Sequence, residues 1–424
     1  MTGGTVSRGG TTALVTGGAV STGGATLLAT GGNISTGGTT LLATGSAPFS
    51  GGNTSLATGG TFFTGGNVSI GGSGTNSARC IVYVAISGKD TNNGSSWSSA
   101  LANIQSAITA GRNLVGAGTC SSAELWVAAG TYKPNYLTDS SDPRTATFSL
   151  AANVTLYGGF LGTETALSAR DFTGNVTTLS GDIGAVGDAS DNCYNVVTGA
   201  TGATIDGFQI NAGNAQDSAS GTTSSNLKGG GMYNGGASPI VTNCTFAGNK
   251  AYLGGGMFND SYSSPTVTNC TFSSNAAAYG GGMFNDPYSS PKVTNCMFSS
   301  NSASEGGGME NESFSSPVVV GCPFSRNVTN DGGAGMGNRS SSTATVTDCL
   351  FSNNSVVYSS GGGMYNFFSS PTVANCIFSG NSAYYGGGMI GSLPAQPIPS
   401  SALRAADLRK RNIHCALRAL LASR

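Results

Sequence analysis

Residues 280–301 contain the pattern that decides the fold. Residues 280–285 read Gly-Gly-Gly-Met-Phe-Asn, residues 288–291 read Tyr-Ser-Ser-Pro, and residues 293–301 read Val-Thr-Asn-Cys-Met-Phe-Ser-Ser-Asn. A repeat period in the twenties is typical of a solenoid, in which each repeat forms one coil and neighbouring coils stack. The same pattern spaces six cysteines 26, 26, 26, 27 and 27 residues apart, at Cys244, Cys270, Cys296, Cys322, Cys349 and Cys376. The sequence therefore predicts an all-β solenoid.

Alternation along the strands predicts which side chains of each repeat form the core. Asn295 should break this alternation, because asparagine tolerates left-handed backbone geometry, and Asn301 should turn the next corner. Coils stack about 4.8 Å apart, so each inward position becomes a column of like side chains. In this copy the inward residues are Met283, Val293, Cys296 and Phe298. The equivalent residues elsewhere are Met232, Met257, Met309, Met336, Met364, Met389, Phe246, Phe272, Phe324, Phe351 and Phe378.

The composition narrows the class of protein. The 424 residues include 68 glycines, only 9% are charged, and the net charge is −1. A glycine share more than twice the usual ~7% favours an extracellular chain rich in β-turns, and the small net charge gives no attraction to nucleic acid or anionic membrane. No run approaches the ~20 apolar residues of a membrane-spanning helix. Residues 1–8 do not read as a secretory signal, so we expect an export signal upstream.

Residues 1–77 form a Gly/Thr-rich, low-complexity segment. A 14-residue unit is marked by Leu14, Leu28, Leu42 and Leu56. Because this composition offers little apolar surface to offset the ordering of the backbone, we predict a flexible linker or stalk. The alternative is a thin β-structured repeat that needs its neighbours.

Residues 78–215 are predicted to cap the solenoid and to form its irregular early coils. Ser95 or Ser96 can cap the N-terminus of a short helix, which would cover the exposed strand edges of the first coil. One face of that helix is expected to carry Trp97, Leu101, Ile104 and Ile108.

Residues 216–392 are the regular array, and residues 393–424 differ from it. Six of the chain's 18 lysines and arginines lie after Pro394, together with its one histidine, His414. Two interpretations stay open for this tail. It is either a basic amphipathic helix that caps the last coil, or an aberrant or truncated end that no longer matches the array.

Two sets of motifs carry a resemblance to known families. Each repeat contains Phe-x-x-Asn, as at 298–301, and most pair it with Gly-Gly-Gly-Met, as at 280–283. This resembles the polymorphic outer membrane protein repeat of bacteria, with Gly and Met where that signature has Ala and an aliphatic residue. The early segment reads Val-Ala-Ala-Gly-Thr-Tyr at 127–132 and Tyr-Gly-Gly-Phe at 157–160. It is similar to the first coils of bacterial right-handed parallel β-helix proteins of the pectate-lyase-like (pectin lyase-like) class.

The resemblance implies both a fold and a location. The implied fold is an all-β, right-handed parallel β-helix, to which we add the short N-terminal cap helix and the basic C-terminal tail. The implied location is extracellular, at the cell surface or the bacterial outer membrane, often with an adhesin role.

The cysteines are predicted to be structural. Metal-binding cysteines usually come in close pairs such as C-x-x-C, which this sequence lacks. Side chains in one column point in parallel, which disfavours disulfides between coils, so we expect the six periodic cysteines to be reduced and to fill the core. Cys80 and Cys120 flank the cap helix and could form a staple, whereas Cys193 and Cys415 have no obvious partner.

Asp260 and Asp286 occupy equivalent positions in adjacent coils, beside Tyr262 and Tyr288. Two carboxylates about 5 Å apart fit the geometry of a retaining glycosidase, and together with the rings they also fit a sugar-binding platform. The alternative is a stripe of solvated turn residues. Near the same position, the next coils carry Glu312, Asn338 and Phe367.

One loop is a candidate metal site. Asp182, Asp188 and Asp191 offer three carboxylates that, with backbone carbonyls, could hold Ca²⁺, although their spacing fits no EF-hand. Residues 90–94 begin like a calcium loop, but the twelfth position is Leu101 rather than glutamate. Turn capping is the alternative for both groups of aspartates.

We favour a non-enzymatic function and assign no catalytic residues and no cofactor besides the possible Ca²⁺. The protein is expected to be an exported, surface-displayed β-helix with a structural or adhesin-like role, which binds carbohydrate or protein surfaces and no nucleic acid. Its predicted ligand surface comprises Tyr262, Tyr288, Phe314, Phe367, Asp260 and Asp286.

Two other hypotheses stay open. A carbohydrate-active enzyme, either a glycoside hydrolase or a lyase, needs two carboxylates with a lysine or arginine in a cleft, and only the loops at 133–191 are expected to supply them. The candidates there are Lys133, Asp139, Asp142, Arg144, Arg170 and Asp171. The last hypothesis is a truncated fragment without a function of its own.

Overall fold

The structure is a computed structural model that describes residues 79–216 and 224–391, together with seven short strands between residues 6 and 50. Residues 79–391 form an all-β, right-handed parallel β-helix of about ten coils, as predicted. Each regular coil contributes one strand to each of three long sheets. The strands are only three or four residues long because a turn follows each of them.

The first sheet has ten strands, and its order follows the chain: Arg79–Val84, Ser122–Ala128, Val154–Phe160, Thr204–Asp206, Ile240–Thr242, Thr266–Thr268, Lys292–Thr294, Val318–Val320, Thr345–Thr347 and Thr372–Ala374. The second sheet has nine: Gly130–Tyr132, Thr177–Ser180, Gln209–Asn211, Thr245–Ala247, Thr271–Ser273, Met297–Ser299, Pro323–Ser325, Leu350–Ser352 and Ile377–Ser379. The third sheet has ten: Tyr136–Leu137, Ala146–Ser149, Val197–Thr198, Met232–Asn234, Met257–Asn259, Met283–Asn285, Met309–Asn311, Met336–Arg339, Met364–Phe367 and Met389–Gly391.

Smaller elements complete the coils. Within the described residues every strand pair is parallel except Tyr136–Leu137 with Ala146–Ser149. Two further sheets pair Asn214–Ala215 with Lys250–Ala251, and Ser302–Glu305 with Val328–Gly332 and Ser355–Val356. The 3₁₀ helices are Trp97–Ser99, Pro143–Thr145, Leu167–Ala169 and Ser225–Leu227.

The core consists of the predicted columns. Met257 pairs with Met283, and Met283 with Met309, so that one side chain type repeats from coil to coil. Neighbouring core phenylalanines stack with ring centroids 4.7 to 4.8 Å apart and planes within 3 to 5° of parallel. The six periodic cysteines are buried and unbridged, as expected, and burial raises the pKa of the Cys270 thiol. Burial also raises the pKa of Cys193 to about 12.

The corners confirm one prediction and correct another. Asn295 has φ 52°, and Gly321 takes the equivalent corner with φ 65°, so this position requires left-handed backbone. Asn301 was expected to turn the next corner, but the left-handed residue there is Ser300, with φ 55°. Asn301 itself is buried. It makes side-chain hydrogen bonds with the neighbouring coils, and these replace the backbone hydrogen bonds that the corner interrupts.

Two ladders of buried asparagines run along the β-helix. Asn301 donates from Nδ2 to the Phe272 carbonyl (2.9 Å) and to Asn327 Oδ1 (3.0 Å). Its own Oδ1 accepts from the backbone N–H and the Nδ2 of Asn275, each at 3.0 Å. This ladder, which explains the asparagine of Phe-x-x-Asn, comprises Asn249, Asn275, Asn301, Asn327, Asn354 and Asn381. The second comprises Asn234, Asn259, Asn285, Asn311, Asn338 and Asn366.

A helix covers the first coil, but it begins later than predicted. Helix α1 spans Ile104–Gly116, and its N-cap is Asn103, whose side chain accepts from the N–H groups of Gln105 and Ser106, rather than Ser95 or Ser96. Trp97 lies in a separate 3₁₀ helix. Ile104 and Ile108 are buried against the first sheet as expected.

The cap is fixed at two places. A Cβ atom at Gly111 would lie 3.0 Å from the Cβ of Ala123 and 3.2 Å from the Cδ1 of Leu125, so glycine permits the close approach of α1 to the sheet. Cys80 and Cys120 form a disulfide, which the sequence left open as a possible staple and which joins the first strand to the segment after α1. No described helix is long and apolar enough to cross a membrane.

Residues 1–76 form a unit of their own. The strands Val6–Gly9, Val20–Gly23, Ile34–Gly37 and Phe49–Ser50 pair in parallel, and so do Ala13–Thr16, Leu27–Thr30 and Leu41–Ala43. Leu14 pairs with Leu28 and Leu28 with Leu42, at the 14-residue period. These pairings correspond to the β-structured alternative, while the role of linker or stalk stays a prediction. The predicted basic tail at 393–424 lies outside the described residues, and the domain boundaries stay predictions.

Candidate ligand-binding surface

Three aromatic side chains stack on the outside of the β-helix. We call Tyr262, Tyr288 and Phe314 the aromatic ladder. Their ring centroids are 5.3 and 5.4 Å apart, with planes 5° and 7° from parallel. The exposed fractions are 73% for Tyr262, 49% for Tyr288 and 54% for Phe314. These three of the predicted surface residues thus lie together on the outside of the β-helix, while their role in ligand binding stays a prediction.

The backbone beneath the aromatic ladder is left-handed. Tyr262, Tyr288 and Phe314 have φ values of 65°, 63° and 63°. The preceding coil places Gly236, with φ 66°, at the equivalent position, and the following coil places Ser341, with φ 70°. Left-handed geometry costs a non-glycine residue roughly 1–2 kcal/mol, and bulky residues rarely adopt it. Rings are therefore present where glycine would be less strained, which points to a role outside folding.

Phe367 is not brought to the aromatic ladder. Phe368 occupies the equivalent position, because it precedes the buried Ser369 as Tyr262 precedes the buried Ser263. The coil is one residue shorter at this point, which moves Phe367 toward Tyr365 and Arg339. This change of register could not be recognised without the pairing of the strands.

Asp260 and Asp286 lie beside the aromatic ladder and contact each other. Burial opposes ionisation of Asp260, but hydrogen bonds from the Ser261 N–H (3.0 Å) and the Tyr233 hydroxyl (2.9 Å) hold its pKa below the usual range. Burial and the hydrogen bond with Asp260 raise the pKa of Asp286 to about 6. Lys228 Nζ lies 3.7 Å from Asp260 Oδ1. The pKa values of the two carboxyl groups are thus shifted in opposite directions, and Asp286 is the one that takes up a proton first as the pH falls.

This pair predicts a pH-dependent stability. A carboxyl whose folded-state pKa is raised binds its proton more tightly in the folded state, so its contribution is complete below pH 4 and is lost as the pH rises through about 6. The wild-type free energy of unfolding should decline across this window, and Asp286→Asn should make the decline shallower. Urea unfolding between pH 4 and pH 7 measures both, with the exposed Asp331→Asn as the control. Parallel curves for wild type and Asp286→Asn would contradict the raised pKa of Asp286.

A second charged cluster was missed by the sequence analysis. Arg339 Nη2 forms an ion pair with Glu305, and Arg339 Nε lies 3.0 Å from Glu310 Oε1. Glu312 also faces Arg339 electrostatically. The enzyme hypothesis predicts carboxylates next to a lysine or arginine only in the loops at 133–191, but this cluster lies in the regular array of coils. The only signal was Met-Glu-Asn at 309–311 in place of Met-Phe-Asn.

Glu310 is the unusual member of this cluster. It is 0% exposed, at the position that Phe258 and Phe284 occupy in earlier coils. Its Oε2 has no hydrogen-bond partner among the described residues and lies where a side chain at Gly306 or Gly337 would collide with it. Burial raises the pKa of Glu310, and Arg339 only partly offsets this effect.

The charged residues of the early loops are engaged separately. Lys133 Nζ lies 3.9 Å from Asp182, and Arg170 pairs with Asp206 at 2.7 Å. Arg144 donates to the carbonyls of Asn192 and Asn214. Each of the remaining candidates accepts hydrogen bonds within its own turn, namely Asp139, Asp142 and Asp171. Their contacts account for loop structure and do not define a cleft with paired carboxylates.

The three aspartates of the predicted calcium loop also have different partners. Asp182 accepts from the Gly187 N–H, Asp188 from Ser190, and Asp191 from the Ala185 N–H. Within the described residues, no group of three His, Cys, Asp or Glu side chains is placed to hold a metal ion. These contacts are those of turn capping, and the calcium site remains a prediction.

The comparison with known families agrees with the fold. A family model for the right-handed beta helix region matches residues 190–328, which include the first regular coils and all three rings of the aromatic ladder. The chain is thus similar to right-handed β-helix proteins over this segment. No curated protein and no solved structure matched the chain. The resemblances to the polymorphic outer membrane protein repeat and to the pectate-lyase-like class stay predictions.

Proposed function

We propose that the protein is an exported, surface-displayed β-helix that binds a carbohydrate or protein surface through the aromatic ladder. The observation that carries this proposal is the row of exposed rings on strained backbone, at a position where Gly236 shows that glycine suffices. Strain of this kind persists where function requires it. The adhesin-like role and the extracellular location are parts of the same proposal, which the glycine-rich, low-charge composition and the Cys80–Cys120 disulfide support.

The aromatic ladder offers suitable contact surfaces. Aromatic rings present a large apolar face at a small cost in conformational entropy, which is why they dominate many binding sites. The stack ends at Gly236 on one side and at Ser341 on the other, so no ring among the described residues lies against the outer faces of Tyr262 and Phe314. The exposure of 73% for Tyr262 reflects this open end.

Removal of the rings tests the proposal. Tyr262→Gly, Tyr288→Gly and Phe314→Gly remove the rings without adding strain, so each should change the free energy of unfolding by only about 1 kcal/mol, as lost stacking and relieved strain oppose each other. Each should weaken ligand binding roughly tenfold, and the triple variant should abolish it. The measurement is binding of the full chain to a polysaccharide and matrix-protein array, followed by calorimetry on the ligands found.

A matched control lies on another face. Met297, Leu350 and Ile377 are exposed on the second sheet, where other coils carry threonine. Their triple replacement by threonine should leave binding unchanged. If the ladder variants bound as well as wild type, or if each lost several kcal/mol of stability, the rings would be structural and the proposal wrong.

A second candidate function is a polysaccharide-degrading enzyme. The specific observations in its favour are the hydrogen-bonded Asp260–Asp286 pair and the carboxylates around Arg339. Carboxylates with opposite pKa shifts are what acid–base catalysis uses. Release of reducing ends or unsaturated products from a polysaccharide, abolished by Asp286→Asn, would place this candidate first.

A further inference from the structure

An acidic row accompanies the aromatic ladder. Asp260, Asp286 and Glu312 each lie two residues before a ring of the ladder, in the same loop of successive coils. All three are partly exposed. Ser261 Oγ lies 3.4 Å from Asp286 Oδ2, so the loop of one coil contacts the carboxylate of the next. Charges and rings thus run side by side along one edge of the third sheet.

Only part of this negative charge is compensated. Asp260 is paired with Lys228, whose side chain also lies over the ring of Phe258. Arg339 is committed to Glu305 and Glu310. Within the described residues, neither Asp286 nor Glu312 makes an ion pair. The two carboxyl groups without an ion pair of their own are therefore those that precede Tyr288 and Phe314, although Arg339 still lowers the pKa of Glu312 in part.

On the basis of the proposed function, we infer that the ligand of the aromatic ladder is a cationic polysaccharide that carries amino groups on its sugars. A ring face attracts a cation as well as an apolar surface, and an adjacent carboxylate that forms no ion pair of its own adds to that attraction. The same field repels acidic polysaccharides. Rings and carboxylates recur at each coil, 5.3 and 5.4 Å apart for the rings, which suits a linear polymer with a regularly repeated amine.

The test compares two sugars that differ in charge. The full-length protein is titrated calorimetrically with a glucosamine oligosaccharide and with the N-acetylglucosamine oligosaccharide of equal length, slightly below neutral pH and at low salt. The glucosamine oligomer should bind at least tenfold more tightly, and added salt should reduce this ratio because it screens exposed charges. An oligogalacturonate of equal length should not bind.

Variants locate the effect. Asp286→Asn with Glu312→Gln should bring the affinity ratio of the two sugars close to one, whereas Asp331→Asn, an exposed carboxylate outside the row, should preserve it. Near-ultraviolet circular dichroism verifies that each variant is folded.

Each other outcome has a distinct meaning. Equal binding of both oligosaccharides that is lost in the triple ladder variant would overturn this inference and leave the proposed function standing. Tighter binding of an oligolysine peptide than of the glucosamine oligomer would also overturn it, since the partner would then be a basic protein. If neither these ligands nor any member of the array bound, the proposed function would fail as well.

Discussion

Asn301→Ala is expected to lower the free energy of unfolding by about 4 kcal/mol. The change removes four hydrogen bonds, to the Phe272 carbonyl, to Asn327 Oδ1, and from the N–H and Nδ2 groups of Asn275. All of these groups are buried, and each unsatisfied buried polar group costs about 1–3 kcal/mol. The cavity adds to this cost. Equilibrium unfolding in urea, followed by circular dichroism, measures the loss.

Asn295→Ala is the matched control for this change. Asn295 lies in the same coil, on left-handed backbone with φ 52°, and is exposed rather than enclosed. Its replacement should cost about 1 kcal/mol, mainly through backbone strain. Equal losses for the two variants would show that the buried asparagine ladder contributes no more than a surface turn residue.

The second large effect is expected from loss of the disulfide. Cys80 and Cys120 are 40 residues apart, and a bridge across a loop of that length stabilises a protein by about 4 kcal/mol in the chain-entropy description. Helix α1 lies inside this loop, so Cys80→Ser with Cys120→Ser should also loosen the cap and expose the edge strand Arg79–Val84. Thermal unfolding should shift downward, and aggregation should begin at a lower temperature.

Reduction provides an independent check of the disulfide. Mild reductant should destabilise the wild-type protein to the same extent and leave the double serine variant unchanged. In the native, oxidised protein the seven free cysteines between residues 193 and 376 should resist alkylation, since all of them are buried. Unchanged thermal unfolding after full reduction would contradict the structural role of the bridge.

The repeat made the core predictable. A repeat period close to 26 residues places Met283, Cys296 and Phe298 above their equivalents whatever the details of the turns, because parallel stacking preserves register. The position of the cysteines around the cap suggested a disulfide but did not decide it, because sequence alone does not fix the direction of the two Cβ atoms. Asn103 was missed as N-cap because the helical periodicity also accommodates Trp97 and Leu101, which the structure assigns to a 3₁₀ helix and to a bridge with the first strand.

The charged sites were less predictable because they depend on departures from the repeat. Glu310 and Arg339 are 29 residues apart, rather than one exact period, and neither matches the consensus at its position. A purely periodic argument treats both as variable surface residues. The opposite pKa shifts of Asp260 and Asp286 were not predicted for a similar reason: the two residues are equivalent in the repeat, whereas the hydrogen bonds from Ser261 and Tyr233 reach only Asp260.

The uniform columns also have a consequence for how such a molecule can change in length. Duplication or deletion of one whole unit within 257–308 would leave every core side chain with neighbours of the same type. It would change the length of the β-helix by one coil spacing, about 4.8 Å. A unit that carries Asp286 and Tyr288 would bring one more ring and one more carboxylate with it. The number of contacts with an extended partner would then increase with the number of units, and the avidity of binding would increase as well.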